Sequence, residues 1–312
     1  MYVTEQEVRA VLTYEALIPA IRQALIDYSA GRVNQPPRTI LRAGNSEDHR
    51  NGWFAVMPVV AGDMMAVKTV TFYAGNDELS IPTHMAVIEL LRRATGEPLA
   101  LMDGRLITEM RTAAVSAVAF AALAPLHFQS APSSLGILGA GVQARAHIQA
   151  LRVVWPELSE VRIASRNPSN AAKLAAETGS RAVVTGEAAS ADVVLTATSS
   201  PTPVLFGKWL SSRTLVLAVG ATGSSLRELD SEAMSSSYVV AEARASVERE
   251  SGDVVLSGAK IQAEIGEILA DPAGAAVPRN RRVVFKSVGM AVEDLTAARL
   301  VWQARTEGSK QA

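Results

Sequence analysis

Gly139-Ala140-Gly141-Val142-Gln143-Ala144 spaces small residues as G-x-G-x-x-A. The stretch follows the apolar run LGIL and opens VQARAHIQAL, whose spacing is helical, and this is the context that a dinucleotide site requires. Gly139 permits a tight turn, Gly141 lets the backbone approach a pyrophosphate, and Ala144 keeps the helix close to its strand. Ala140, Val142 and Gln143 share that turn, where a helix N-terminus offers free N–H groups and partial positive charge to phosphates. A second apolar run, VRIA, ends in Ser165-Arg166-Asn167 without a carboxylate. Sites for an unphosphorylated ribose usually carry Asp or Glu there. Arg166 suits a 2′-phosphate through charge-assisted hydrogen bonds, with Ser165 and Asn167 adding neutral ones. The expected cofactor is therefore NADP(H), with NAD(H) possible.

Lys68 lies in AVKTV. Apolar neighbours would lower its pKa by desolvation and suit it to acid–base work. The alternative is a solubilising charge on an edge strand. Arg111 starts the alanine-rich segment 109–125, where a cation opposes the helix dipole, a poor place for a structural arginine and a reasonable one for an anion site. His84, beside a proline turn, reads as a structural residue and stays a substrate-pocket candidate only. Asp294 reads as a carboxylate favoured by a helix N-terminus. Met57, Met64, Met65 and Met102 read as core fillers.

Composition bounds the chemistry. The chain has 312 residues and no cysteine, which excludes a disulfide scaffold, a thiolate metal site and a cysteine nucleophile. Four histidines, none at ligand spacing with another, give no metal site. Thirty Lys and Arg against 31 Asp and Glu leave a net charge of −1, which offers nucleic acid no basic surface. The polar, acidic start MYVTEQEVRA is unlike a signal peptide, and no apolar stretch reaches about 18 residues without a charge, so no membrane span is expected and the expected address is the cytoplasm.

These residues need elements to position them. Residues 4–30 read as one helix, with Thr4 and Glu7 as a capping box. Short β-like runs follow at 38–41, 53–59, 64–73, 83–91 and 98–102, with a polar loop at 44–52. The segment 109–125 reads as a connecting helix that Pro125 ends. From Ser134 strand and helix alternate: strands at 135–138, 161–164, 182–184, 193–197, 215–219, 239–241 and 283–286, and helices at 142–154 and 168–178. Alternating β and α units imply a doubly wound parallel sheet. A closing helix at 293–304 and a frayed tail, EGSKQA, end the chain. The expected fold class is α/β, with a Rossmann-type doubly wound sheet at 116–289 and an α+β substrate-binding and dimerisation domain at 1–115 plus 290–312.

Seven stretches together resemble the ornithine cyclodeaminase/mu-crystallin family: VKTVTFYAGN, TGEPLALMDGRLITEMRTAAVSAVA, LGILGAGVQARAH, ADVVLTATSS, RELD, ESGDVVLSG and FKSVGMAVEDLTAA. The resemblance covers nearly the full length, and its wording is nearer to the mu-crystallin branch, which are ketimine reductases, than to the bacterial cyclodeaminases. It implies a homodimer formed through the N-terminal sheet. It implies an NAD(P)-dependent oxidoreductase of amino-acid metabolism that moves hydride at a carbon α to a carboxylate. Arg38, Lys68 and Arg111 match the family's carboxylate-binding positions, although Arg42 lies close enough to Arg38 to take its role. Lys68 would be the catalytic acid or base. Thr112 and Arg111 resemble family contacts to the cofactor. Thr198, Ser199, Val219, Gly220, Ser287 and Gly289, at strand ends, would complete the dinucleotide site.

The resemblance leaves three activities to weigh. The first is NAD(P)H-dependent reduction of 2-carboxy imines such as Δ1-piperideine-2-carboxylate and Δ1-pyrroline-2-carboxylate. The second is ornithine cyclodeamination to proline and ammonia with NAD. The third is non-enzymatic binding of NADPH or an aromatic, hormone-like ligand. The cyclodeaminase pattern places an aspartate where this chain has Thr222 and a lysine where it has Leu226, which disfavours the second. Few aromatics, 5%, disfavour the third. The expected partner is a small imine or amino acid bearing a carboxylate, with no nucleic acid and no membrane.

Overall fold

A computed structural model of the chain describes residues 1–44 and 52–308. Residues 45–51 of the expected polar loop and 309–312 of the expected tail lie outside the described residues. The chain divides into two compact units, Met1–Arg111 with Met290–Ala312, and Thr112–Gly289. The boundary expected after residue 115 falls after 111, inside one continuous helix, so no change of composition marks it.

The first unit is a mainly antiparallel sheet with helices. Its elements are β1 (Tyr2–Val3), α1 (Glu5–Val11), α2 (Tyr14–Ser29), β2 (Val33–Asn34), β3 (Thr39–Ala43), β4 (Gly52–Ala61), β5 (Met64–Tyr73), β6 (His84–Arg92) and β7 (Pro98–Asp103). The strands run in the order β1-β7-β6-β5-β4-β2, and β3 also pairs with β4. The single helix expected over 4–30 is two. Thr4 and Glu7 form the capping box of α1, Leu12 is extended, and the Thr13 hydroxyl caps α2 by accepting from the Ala16 amide. Strict alternation buries Ala55, Met57 and Val59 of β4, Met64, Ala66, Lys68 and Val70 of β5, and Ala86, Ile88 and Leu90 of β6 on one face. Met65 is the exception among the expected core methionines: its odd position on β5 turns it to the opposite face, where it lines a shallow groove with Pro58, Val60 and Val67. A C-terminal helix, Ala291–Gly308, packs on α2 and on β4, β5 and β6, and begins before the expected 293. The Gln35 side chain accepts from the Val292 amide at 2.9 Å and so holds its first turn.

Helix α3 (Arg105–His127) begins earlier than residue 109 and runs past Pro125. The proline costs the last turn one N–H donor, and the helix continues past it, with the Phe128 amide closing the turn on the Ala124 carbonyl. By length and composition α3 is apolar enough to cross a bilayer, but every 18-residue stretch of it contains the charged Arg111, and most of its apolar window is buried within the protein.

The second unit is a three-layer α/β fold. It contains β8 (Ser134–Leu138), α4 (Val142–Val154), β9 (Glu160–Ala164), α5 (Pro168–Thr178), β10 (Arg181–Ala182), α6 (Thr185–Ala189), β11 (Val193–Thr196), β12 (Leu215–Ala218), α7 (Ser231–Ser235), β13 (Tyr238–Ala241), α8 (Arg244–Glu250), α9 (Gly252–Ser257), β14 (Ile261–Glu264), α10 (Ile265–Ala270) and β15 (Val283–Lys286). All pairs in the order β10-β9-β8-β11-β12-β15-β13-β14 are parallel. Every residue of β11, β12 and β15 is buried, as a parallel sheet covered on both faces demands. The strand expected at 182–184 is shorter and earlier because 183–184 turn away to start α6. The strand order reverses between β8 and β11, so the crevice beyond their carboxyl ends is the place for a ligand.

Candidate functional site

In the first unit a charged cluster sits where the sheet face is otherwise apolar. Lys68 lies mid-sheet on β5, between β4 and β6, and is 2% exposed. It is not an edge-strand charge. Its Nζ is 2.7 Å from Asp294 Oδ2 and 3.5 Å from the Thr108 hydroxyl. Arg111 is equally enclosed. Its Nε donates to Asp294 Oδ1 at 3.1 Å and its Nη1 to Glu293 Oε2 at 2.7 Å. Arg111 therefore does not start its helix, as its spacing had implied. It stands one and a half turns in, where the dipole is spent and two carboxylates hold it.

Asp294 does lie in the first turn of the C-terminal helix, but its main role is the ion pair with Lys68 and Arg111. Glu293 and Asp294 were not singled out together from sequence. The available signal was adjacent carboxylates flanked by Ala291, Val292 and Leu295, since a wholly buried first turn needs cations opposite.

Burial pushes the Lys68 ammonium down to about 8, the Asp294 charge works against that fall, and the charges of Arg111 and Arg38 add to it. Lys68 thus exchanges its proton near neutrality. His84 on β6 is half-buried, and burial, followed by the Lys68 and Arg111 charges, pushes it down to about 4. It is neutral at physiological pH, a hydrogen-bonding group rather than an acid. Arg38 is half-buried just before β3, whereas Arg42 is exposed, which favours Arg38 as the second cation.

In the second unit the fingerprint turn has the shape a dinucleotide needs. Gly139 has φ +126°, and a Cβ there would stand 2.5 Å from the Ala197 carbonyl oxygen. Only glycine fits. Gly141 is exposed, and a Cβ there would meet nothing within 4 Å, so the backbone faces open space. Gly141 is the N-cap of α4 and no side chain caps its amides, which leaves them for an anion. The Gln143 side-chain oxygen is enclosed without a hydrogen-bond partner among the described residues. Ala140 is half-buried and Val142 exposed in the same turn. The glycine turn and the uncapped amides of α4 fit a pyrophosphate, while the Gln143 oxygen, an acceptor, suits a donor instead.

After β9 the three expected residues separate in role. The Ser165 hydroxyl donates to the Asn167 carbonyl, and Asn167 Oδ1 caps α5 by accepting from the Ser169 amide at 3.0 Å. Arg166 is exposed and has no ion-pair partner among the described residues. Thr112 is half-buried in α3. Ser199 is exposed after β11, while the Thr198 hydroxyl turns inward to Glu228. Val219 and Gly220 follow β12, with the Gly220 carbonyl taken by Lys286 Nζ at 2.7 Å. The Ser287 hydroxyl and the Gly289 amide both donate to the buried Glu242 carboxylate, at 2.5 and 2.7 Å. Burial pushes the Glu228 carboxyl up, against the opposing pull of the Lys286 charge. Among the described residues no three His, Asp or Glu side chains are grouped to hold a metal.

A parallel sheet with this fingerprint, in a chain whose other unit carries a buried lysine–arginine–carboxylate cluster, defines a Rossmann-type protein with a second α+β domain. The chain matches the ornithine cyclodeaminase/mu-crystallin family over residues 1–309, and it belongs to that family. It is 40% identical over 309 residues to the ketimine reductase mu-crystallin of Mus musculus, covering 94% of this chain and 93% of the mouse protein. It is 33% identical over 298 residues to the Δ1-pyrroline-2-carboxylate/Δ1-piperideine-2-carboxylate reductase of Azospirillum brasilense, covering 93% and 91%. Its structure resembles that of Thermococcus litoralis Δ1-pyrroline-2-carboxylate reductase in complex with NADH and L-proline, with a TM-score of 0.90, 32% identity, and 99% and 98% of the two chains covered.

Proposed function

We propose that the protein is an NAD(P)H-dependent reductase of cyclic 2-carboxy imines, with Δ1-pyrroline-2-carboxylate and Δ1-piperideine-2-carboxylate as the substrate class. The observation that carries this reading is Lys68, buried beside Arg111 and bound to Asp294, with its proton held at about 8. When bound, a reduced nicotinamide would supply hydride to the imine carbon. Arg111, its plane fixed by Glu293 and Asp294, and Arg38 hold the substrate carboxylate. Lys68 Nζ gives its proton to the imine nitrogen as the carbon is reduced, and the product is a cyclic amino acid such as proline or pipecolate. Asp294 keeps the lysine protonated before that step. Neutral His84 contributes hydrogen bonding at the substrate edge.

Gly139, Ala140, Gly141, Val142 and Gln143 would hold the dinucleotide pyrophosphate. Arg166, exposed and without an ion-pair partner among the described residues, supports a preference for NADP(H) through a 2′-phosphate. Thr222 and Leu226, standing where a cyclodeaminase has an acid and a lysine, favour net reduction over ornithine cyclisation. The exposed Met85, Val87 and Leu101 on the outer face of the first unit's sheet support a homodimer through that face.

The test follows absorbance of the reduced nicotinamide with each imine and each cofactor. Loss of signal, faster with NADPH, is expected. No oxidation of either cofactor, together with ammonia release from ornithine and NAD, would overturn the reading in favour of the lyase.

A further inference from the structure

RELD, ESGD and FKSVG lie far apart in the sequence, and their charged residues take no part in the chemistry above. The structure brings three of them together. Glu228, Asp253 and Lys286 are each fully buried in the second unit. Lys286 Nζ is 2.9 Å from Asp253 Oδ2 and donates to the Gly220 carbonyl at 2.7 Å. Asp253 Oδ1 accepts from the backbone amides of Glu228 and Leu229, at 2.7 and 2.9 Å. So anchored, Glu228 reaches the end of β11. Its Oε2 accepts from the Thr196 hydroxyl at 2.8 Å, and its Oε1 accepts from the Thr198 amide at 2.6 Å and the Thr198 hydroxyl at 2.7 Å. The Thr198 carbonyl in turn receives the Ala221 amide at 3.3 Å.

Three buried charges thus tie together the turns that follow β11 and β12. Packing alone does not call for them, because apolar side chains of like volume would fill the space without desolvating a charge. The turns they hold are exacting. Ala221 sits at φ +52°, a left-handed conformation that a side chain rarely adopts unless its surroundings impose it. A Cβ on Gly220 would meet the Thr198 carbonyl and the Glu228 carboxylate. In a doubly wound sheet the strands beyond the switch point, here β11 and β12, form the second mononucleotide half.

We propose that Glu228 is a positioning residue for dinucleotide binding, acting through Thr198 and Gly220 on the second mononucleotide half and leaving the first half untouched. The inference rests on the dinucleotide reading of this unit, and its test separates the two. NADH and ADP are titrated separately by fluorescence and calorimetry against wild type and Glu228→Gln, without imine. Gln keeps the volume and one acceptor for Thr198, its amide can donate to the Thr196 hydroxyl, and only the charge is lost. NADH affinity is expected to fall about fivefold, ADP affinity to stay within about twofold, and the melting temperature of the free protein to change little. Thr198→Val, which removes one bond and leaves the carboxylate in place, is expected to weaken NADH less, and to combine with Glu228→Gln less than multiplicatively. Equal losses for NADH and ADP, or no loss for NADH in both variants, would overturn the inference alone. A wild type that binds neither ligand would overturn the dinucleotide reading and the inference with it.

Discussion

Asp294→Asn removes the countercharge of Lys68 while leaving a side chain of nearly the same shape. In the wild type Nζ and Oδ2 are 2.7 Å apart, and burial is the force that drives the lysine down to about 8. At an effective dielectric of about 20, two unit charges at that separation attract by roughly 6 kcal/mol. One pKa unit corresponds to about 1.4 kcal/mol, so losing even a quarter of that attraction lowers Lys68 by about a unit. The sign follows from the role. Lys68 must be protonated to deliver a proton, so kcat/KM for imine reduction falls as pH rises through its pKa. The wild type is expected to lose activity above about pH 8. The variant is expected to lose it from about pH 7 or below. At pH 8 the protonated fraction drops from about a half to about a tenth, a deficit of roughly fivefold that closes toward pH 6. The assay is the initial rate of reduced-nicotinamide oxidation at subsaturating imine from pH 6 to 10. A deficit of the same size at every pH, or an unmoved midpoint, would refute the assignment of Asp294 as the group that sustains the lysine's charge.

Arg166→Ala is expected to weaken NADPH binding by roughly tenfold or more while leaving NADH unchanged, read by titration of each nucleotide; equal effects on both would remove Arg166 from 2′-phosphate recognition. Gly139→Ala forces a Cβ to within 2.5 Å of the Ala197 carbonyl oxygen at φ +126°, so loss of measurable affinity for either nucleotide is expected, and wild-type affinity would show that this turn does not carry the site.

Much of the second unit was legible because its signals are local. The run of apolar residues before Gly139, the two glycines and the proline at the start of α5 each fix their own element, and α4, α5 and β15 have the expected bounds. Where a local signal had two meanings the reading slipped. Thr13 looks like one more polar residue on a helix face, yet its hydroxyl starts a second helix. Pro125 looks like a terminator, yet the helix carries it at the loss of one N–H donor and ends only at His127. The charged cluster was half legible. Lys68 stands out because a lysine among alternating apolar residues must go into the core or onto an edge. Its partners do not stand out, because Glu293 and Asp294 follow it by more than two hundred positions and look like ordinary first-turn acids. The same holds for Glu228, Asp253 and Lys286, since no single-segment pattern pairs residues that only the sheet topology joins.

The first unit is assembled from the two ends of the chain, whereas the second is one continuous stretch. The first unit therefore cannot close until Met290–Ala312 has joined Met1–Arg111, whereas the second draws on no distant segment. Until the C-terminal helix joins, Lys68 and Arg111 lack the carboxylates they pair with, and an apolar sheet face that encloses two uncompensated cations is costly to close. The helix Ala291–Gly308 thus acts as the latch of the first unit. A chain shortened before residue 293 lacks both carboxylates, and its first unit is expected to be cut by a protease at concentrations that leave the full chain intact.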